Sequence, residues 1–127
     1  MKTQTNIPTG HQTVMPYLII ENVADFIHFA VDIFGAEELS KHLREGTNEI
    51  MHAEIKIGTS IIMMGQASDQ WGVSNAGLFI YVNNIDAMYN EALAKGATAI
   101  YPPDDKDYGR SAGIVDPFGN TWWLTQV

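Results

Sequence analysis

Along this chain the spacing of apolar positions changes from strand-like to helical and back, and it does so twice. In "YLIIENVADFIHFAVDIFGAEELS" a short aliphatic run gives way at Asn22 to Val23, Phe26, Ile27, Ala30, Val31 and Phe34, which recur at helical spacing. "LFIYVNNIDAMYNEALAKGATAIY" repeats the change, with Ile85, Met88, Ala92 and Leu93 on a second helical stripe. Laid over each other with a single-residue gap, the segments pair Asn22 with Asn84, Val23 with Ile85, Ala30 with Ala92, and Gly35-Ala36 with Gly96-Ala97. Asn22 and Asn84 stand where a side chain accepts from the free amides of a first helical turn. Gly35 and Gly96 stand where a left-handed residue ends a helix.

After each helix the period falls to two. "EELSKHLR", "EIMHAEIKI" and "SIIMMG" follow the first, the last two joined by Gly58 and Thr59 in a tight hairpin. "TAIYPP", "RSAGIVD" and "NTWWLTQ" follow the second. The chain therefore reads as an α+β domain of two βαβββ repeats, about 14–66 and about 76–126. One helix covers only one face of a four-stranded sheet. Two such sheets side by side predict a curved mixed sheet around a cleft, with the helices on its outer face.

Alternation then assigns side chains to faces. Pro16, Leu18, Ile20, Met51, Ala53, Ile55, Ile57, Leu78, Ile80, Val82, Trp122 and Leu124 form the helix-covered set. Met15, Tyr17, Ile19, His52, Glu54, Lys56, Gly77, Phe79, Tyr81, Thr121, Trp123 and Thr125 are left for the cleft. Trp122 and Trp123, being neighbours in a strand, must face opposite environments. An aromatic wall of Tyr17, Phe79, Tyr81 and Trp123, with His52 and Glu54 as its polar groups, is the usual lining of a small-molecule site.

Charge narrows the partner. Seven Lys and Arg against fifteen Asp and Glu leave a net charge of -8, which disfavours nucleic acid and anionic membranes and suits a cationic ligand. With no cysteine, disulfides, thiolate metal sites and a cysteine nucleophile are excluded. The 127 residues fit one domain, and the polar opening "MKTQTNIPTGHQ" has no apolar segment, so a cytoplasmic protein is expected.

Four polar candidates follow. If Gly46 to Asn48 form a turn, His42 falls opposite His52 with Glu54 on the same face, a reasonable zinc set that Lys56 shares its face with. Glu54 is alternatively a general base, its pKa raised by partial burial. Arg110 is placed to receive a ligand carboxylate. His11 and His28 read as a flexible arm and an exposed helix face.

The paired repeats, the helix ending in "FGAEE", the stretch "MHAEIKIGTSIIMM" and the ending "GIVDPFGNTWWL" together resemble the vicinal oxygen chelate superfamily of glyoxalases, bleomycin-resistance proteins and extradiol dioxygenases. The resemblance runs from about Val14 to Gln126. It implies a homodimer with two-fold symmetry whose clefts are partly built at the interface. In metal-using members one ligand starts the first strand, another the fifth, and a glutamate follows the DPxG glycine by four residues. Here those positions hold Met15, Gly77 and Trp123, none of which is an imidazole or carboxylate, so no metal and no cofactor is expected. The reading is a metal-independent binding protein, similar to bleomycin-resistance proteins, with Met15, Tyr17, His52, Glu54, Phe79, Tyr81, Arg110 and Trp123 around a planar or cationic ligand. The alternative is a glyoxalase, lyase or dioxygenase using His42, His52 and Glu54, or Glu54 alone. A scaffold domain with the aromatics packed shut is a third.

Overall fold

A computed structural model describes residues 5–127, leaving the first four residues of the polar opening outside it. The first repeat comprises β1 (Tyr17–Ile20), α1 (Val23–Phe34), β2 (Glu37–Leu43), β3 (Ile50–Ile57) and β4 (Ser60–Gln66). The second comprises β5 (Gly77–Tyr81), α2 (Ile85–Ala94), β6 (Thr98–Lys106), β7 (Gly109–Val115) and β8 (Thr121–Gln126). Two four-stranded mixed sheets result, ordered β1-β4-β3-β2 and β5-β8-β7-β6. In each, the first strand runs parallel to the last while the other pairs are antiparallel. The expected α+β pair of βαβββ units is the fold observed. The connector between the repeats is pinned to β1 by a bridge between Ile19 and Ser74.

Each helix covers its own sheet, and the two helices also pack on one another. Phe34 of α1 lies against Trp122 of β8 with ring centroids 4.4 Å apart, and Phe26 and Phe29 meet Phe118 edge-on. Both helix-covered faces therefore share one core, running from Leu18, Phe26 and Ile55 to Ile114, Trp122 and Leu124. The uncovered faces point away from it. Among the described residues no helix is long and apolar enough to cross a membrane.

Local chemistry explains the elements and several departures from the expected pattern. Asn22 caps α1 by accepting from the Asp25 N–H at 3.1 Å, and Gly35 ends it at φ +67°. Asn84, expected to do the same for α2, makes no such bond. Instead Gln126, at the end of β8, accepts from the Ile85 N–H at 2.9 Å. Gln66, at the end of β4, occupies the same place in the first repeat and accepts from the Val23 N–H at 3.4 Å. Phe29 and Ile33 are buried on α1, whereas Val31, expected inside, is exposed. Met51 also turns outward. A register shift between His42 and Leu43 puts Ile50 in the core and breaks the alternation at that point. On the edge strand β6 a register shift between Tyr101 and Asp104 spans Pro102 and Pro103, which have no N–H to donate.

The "DPFGN" turn is held by Asp116, only 3% exposed. Its carboxylate accepts from the backbone N–H of Phe118 and Asn120, the Asn120 side-chain amide and the Trp122 indole, the last at 2.8 Å. Asn120 in turn accepts from the Ala76 N–H at 3.1 Å, tying the turn to the start of β5. Trp122 is thereby fixed inward, and Trp123 must lie on the uncovered face.

Candidate functional site

Two groups of side chains occupy the uncovered faces. On the second sheet Phe79, Tyr81 and Trp123 are 55%, 70% and 39% exposed, with Phe79 directly opposite Trp123 and 5.2 Å from the Tyr81 ring, edge to face. The Trp123 indole lies over Gly77, where a Cβ would come within 2.9 Å of its ring. Tyr101 lies over Gly113 in the same manner, and its hydroxyl is 2.7 Å from that of Ser111. The Thr125 hydroxyl is buried on this face without a hydrogen-bond partner.

On the first sheet the group is polar. Tyr17 crosses over Gly65, where a Cβ would stand 3.2 Å from its hydroxyl, and reaches His52 Nδ1 at 3.2 Å. His52 Nε2 is 3.1 Å from one oxygen of Glu54, and His11 Nε2 is 2.8 Å from the other. His42 does stand opposite His52, its ring stacked at 6.0 Å, but Ser40 rather than His42 faces Glu54 across the strand pair. Among the described residues no cluster of three or more His, Asp or Glu is arranged to hold a metal ion.

A cavity of about 620 Å³ runs along the free edge of β5, from Leu78 to Asn84, and is closed by the β3–β4 turn, Phe34, Met88 and Trp122. Its walls are mostly apolar, with Gln12, Thr59, Ser60, Asn83 and Asn84 as polar groups. That volume falls within the range of small-molecule sites. Of the residues expected to line a site, Phe79 and Tyr81 border it, so the cavity opens beside the exposed rings of the second sheet.

The structure thus brings Phe79, Tyr81 and Trp123 together and sets Tyr17, His52 and Glu54 apart from them on the other sheet. A single wall was expected; two groups form because the helices meet in one core and each sheet keeps its own outer face. Met15 precedes β1 and is half-buried. Arg110 alternates with Ala112 and Ile114 and so points to the helix side. There it donates to Asp86 of α2 at 2.8 and 3.0 Å and to Asp105 at 3.1 Å. Those carboxylates, Asp86 first, raise its pKa, and Arg110 in turn lowers that of Asp86. Its fork is thus directed to Asp86 and Asp105, on the face of the second sheet opposite to Phe79, Tyr81 and Trp123.

Glu54 also behaves differently from expectation. The hydrogen bond from His52, outweighing the upward push of burial and assisted by His11, holds its carboxyl below the usual carboxylate range. It is an ionised acceptor, not a base tuned toward neutrality. His11, taken for part of a free arm, is the second anchor of that carboxylate. Its neighbour Gln12 donates to the Ile61 carbonyl at 3.0 Å, which lays this arm along the first sheet. Nothing in the spacing of the N-terminal segment signals the contact.

The positions that would carry metal ligands can be tested on this geometry. Indole, thioether and hydrogen supply no imidazole or carboxylate, and the Trp123 ring occupies the space any side chain at position 77 would need. The residues do not fit a metal centre there.

The sequence model of the Glyoxalase/Bleomycin resistance protein/Dioxygenase superfamily matches residues 10–124. An uncharacterized protein of Mycobacterium tuberculosis is 28% identical over 123 aligned positions, covering 87% of this chain and 72% of that one. Among solved structures, TioX from Micromonospora sp. ML1 superposes with a TM-score of 0.70 at 22% identity, over 91% of this chain and 96% of that one. The fosfomycin resistance protein FosX from Mesorhizobium loti gives a TM-score of 0.68 at 14% identity, over 90% of each chain. These structural likenesses are likenesses of fold.

Proposed function

Since the chain belongs to the glyoxalase/bleomycin resistance protein/dioxygenase superfamily, we propose that it is a metal-independent member that binds a planar, cationic small molecule. The ligand stacks on Phe79, Tyr81 and Trp123 at the mouth of the cavity along β5. One observation carries this reading. The indole of Trp123 lies over Gly77, so two of the three positions that would hold metal ligands form instead a flat aromatic surface beside an apolar cavity. The net charge of -8 favours a cation at long range, and the ring faces favour it at contact.

A homodimer belongs to the same proposal. Phe79, Tyr81 and Trp123 are large side chains left uncovered on the second sheet, and a two-fold related copy would flank them there and complete the cleft, leaving the first sheet's outer face free. Sedimentation as a monomer at micromolar concentration would remove this part.

Isothermal titration with N-methylquinolinium, against neutral quinoline at pH 8, tests the ligand class. The cation is expected to bind more tightly, and Trp123→Ala to weaken it about tenfold, the loss of a cation–π contact worth about 1.4 kcal/mol. Equal binding of both compounds, indifference to Trp123→Ala, or stoichiometric metal in protein purified without chelator would each defeat the proposal.

A further inference from the structure

The polar group on the first sheet has a direction of its own, independent of ligand binding on the second. An ionised Glu54 can only accept hydrogen bonds, so both imidazole nitrogens beside it, His52 Nε2 and His11 Nε2, carry protons. A neutral His52 protonated at Nε2 has its lone pair at Nδ1, and the Tyr17 hydroxyl, 3.2 Å away, is the donor to it. Gly65 makes the crossing possible. A Cβ there would stand 2.7 Å from the Met51 carbonyl oxygen and crowd the Tyr17 hydroxyl, so only a glycine lets the phenol reach β3. The Tyr17 and His52 rings also stack, with centroids 5.6 Å apart, which holds their relative orientation. The phenol itself is half open to solvent, at 48%.

Carboxylate, imidazole and hydroxyl thus stand in the order that activates a hydroxyl: the carboxylate fixes the ring's tautomer and steadies its cation, and the ring takes the proton. We propose that Tyr17, His52 and Glu54 form an acid–base triad whose working group is the Tyr17 phenol oxygen, acting on a small electrophile. In the step, the phenol oxygen bonds to the electrophilic atom and the leaving group departs with its bonding pair. The phenolic proton passes to His52 Nδ1. Glu54 stays ionised and keeps accepting the Nε2–H, while His11 holds its other oxygen. Tyr17 is the group that touches the electrophile; His52 receives its proton, and Glu54 and His11 are positioning residues.

An aryl sulfonyl fluoride is a suitable probe, because phenol attack forms an S–O bond, releases fluoride and sends the proton to the base. Labelling of each tyrosine is followed by peptide mass spectrometry on the intact chain. Tyr108 serves as the internal reference, since it is more exposed than Tyr17 and, among the described residues, bonds to no imidazole. General-base assistance predicts that Tyr17 reacts at least about tenfold faster than Tyr108. His52→Phe, which keeps a stacked ring, is expected to return Tyr17 to the reference rate. His42→Phe, altering a ring that only stacks on His52, is expected to leave it fast. Nitrogen-15 shifts of His52 should show a protonated Nε2 and a bare Nδ1, with that preference lost in Glu54→Leu. Labelling of Tyr17 no faster than Tyr108, unchanged labelling in His52→Phe, or the opposite His52 tautomer would overturn the proposal.

Discussion

Tyr17 and Phe79 hold the same place in their repeats, the first facing Met63 across a parallel strand pair and the second facing Trp123. Counting from those partners, Glu54 corresponds to Gly113 and His52 to Ser111. Each face lays a tyrosine over a glycine to reach that middle-strand position, but from opposite edges. Tyr17 comes across Gly65 to His52, and Tyr101 comes across Gly113 to Ser111. The outcomes differ in chemistry. With a carboxylate and two imidazoles beneath it, the first ring presents a hydroxyl joined to a relay. On the second face the Ser111 and Thr125 hydroxyls are buried, and ring surfaces are what remains for a ligand. Where glycine falls decides which ring lies flat, and what lies beside that ring decides whether the face is polar or aromatic.

The largest effect is expected from breaking the second face at its root. Asp116→Ala removes the acceptor for several buried donors, and at about 1–3 kcal/mol for each unsatisfied buried group the loss should reach about 3 kcal/mol or more in urea unfolding. The two glycines separate the faces next. Gly65→Ala sets a methyl against the fixed Met51 carbonyl and should cost about 1–3 kcal/mol. Gly77→Ala meets only the Trp123 ring, which can swing into solvent, so about 0.5 kcal/mol or less is expected, with a changed tryptophan near-ultraviolet dichroism. Equal costs would mean that the two ring-over-glycine contacts are equally rigid.

A last effect, set by pH, concerns Glu54. Its folded pKa is depressed, so its contribution to stability is complete above the ordinary glutamate range and fades as pH falls through the folded value. The gap between wild type and Glu54→Gln, about 1 kcal/mol or less at pH 7, should close on acidification in thermal melts. A gap that widens in acid would place the carboxylate in another environment.

Much of this arrangement was legible because it depends on local period. The alternation separated Trp122 from Trp123 and brought His42 opposite His52, and the helical stripes located both helices. Arg110 could have been assigned to the helix side by counting from Ala112 and Ile114. The rest depends on contacts that no period reports. Met51 lies at a bulge that shifts the phase of β3, and His11 meets Glu54 from an irregular segment. The cap of α2 comes from Gln126, 41 residues from Ile85. The cavity along β5 needs the first repeat's hairpin turn as its opposite wall.

Gln66 and Gln126 join the last residue of each repeat to the first amide of that repeat's helix. Each half is consequently a ring in all but covalent bond, fastened by a side chain at the point where it leaves the unit. The segment from Ser68 to Val73 lies between two closed fastenings, so a nick or a new terminus placed there would open neither.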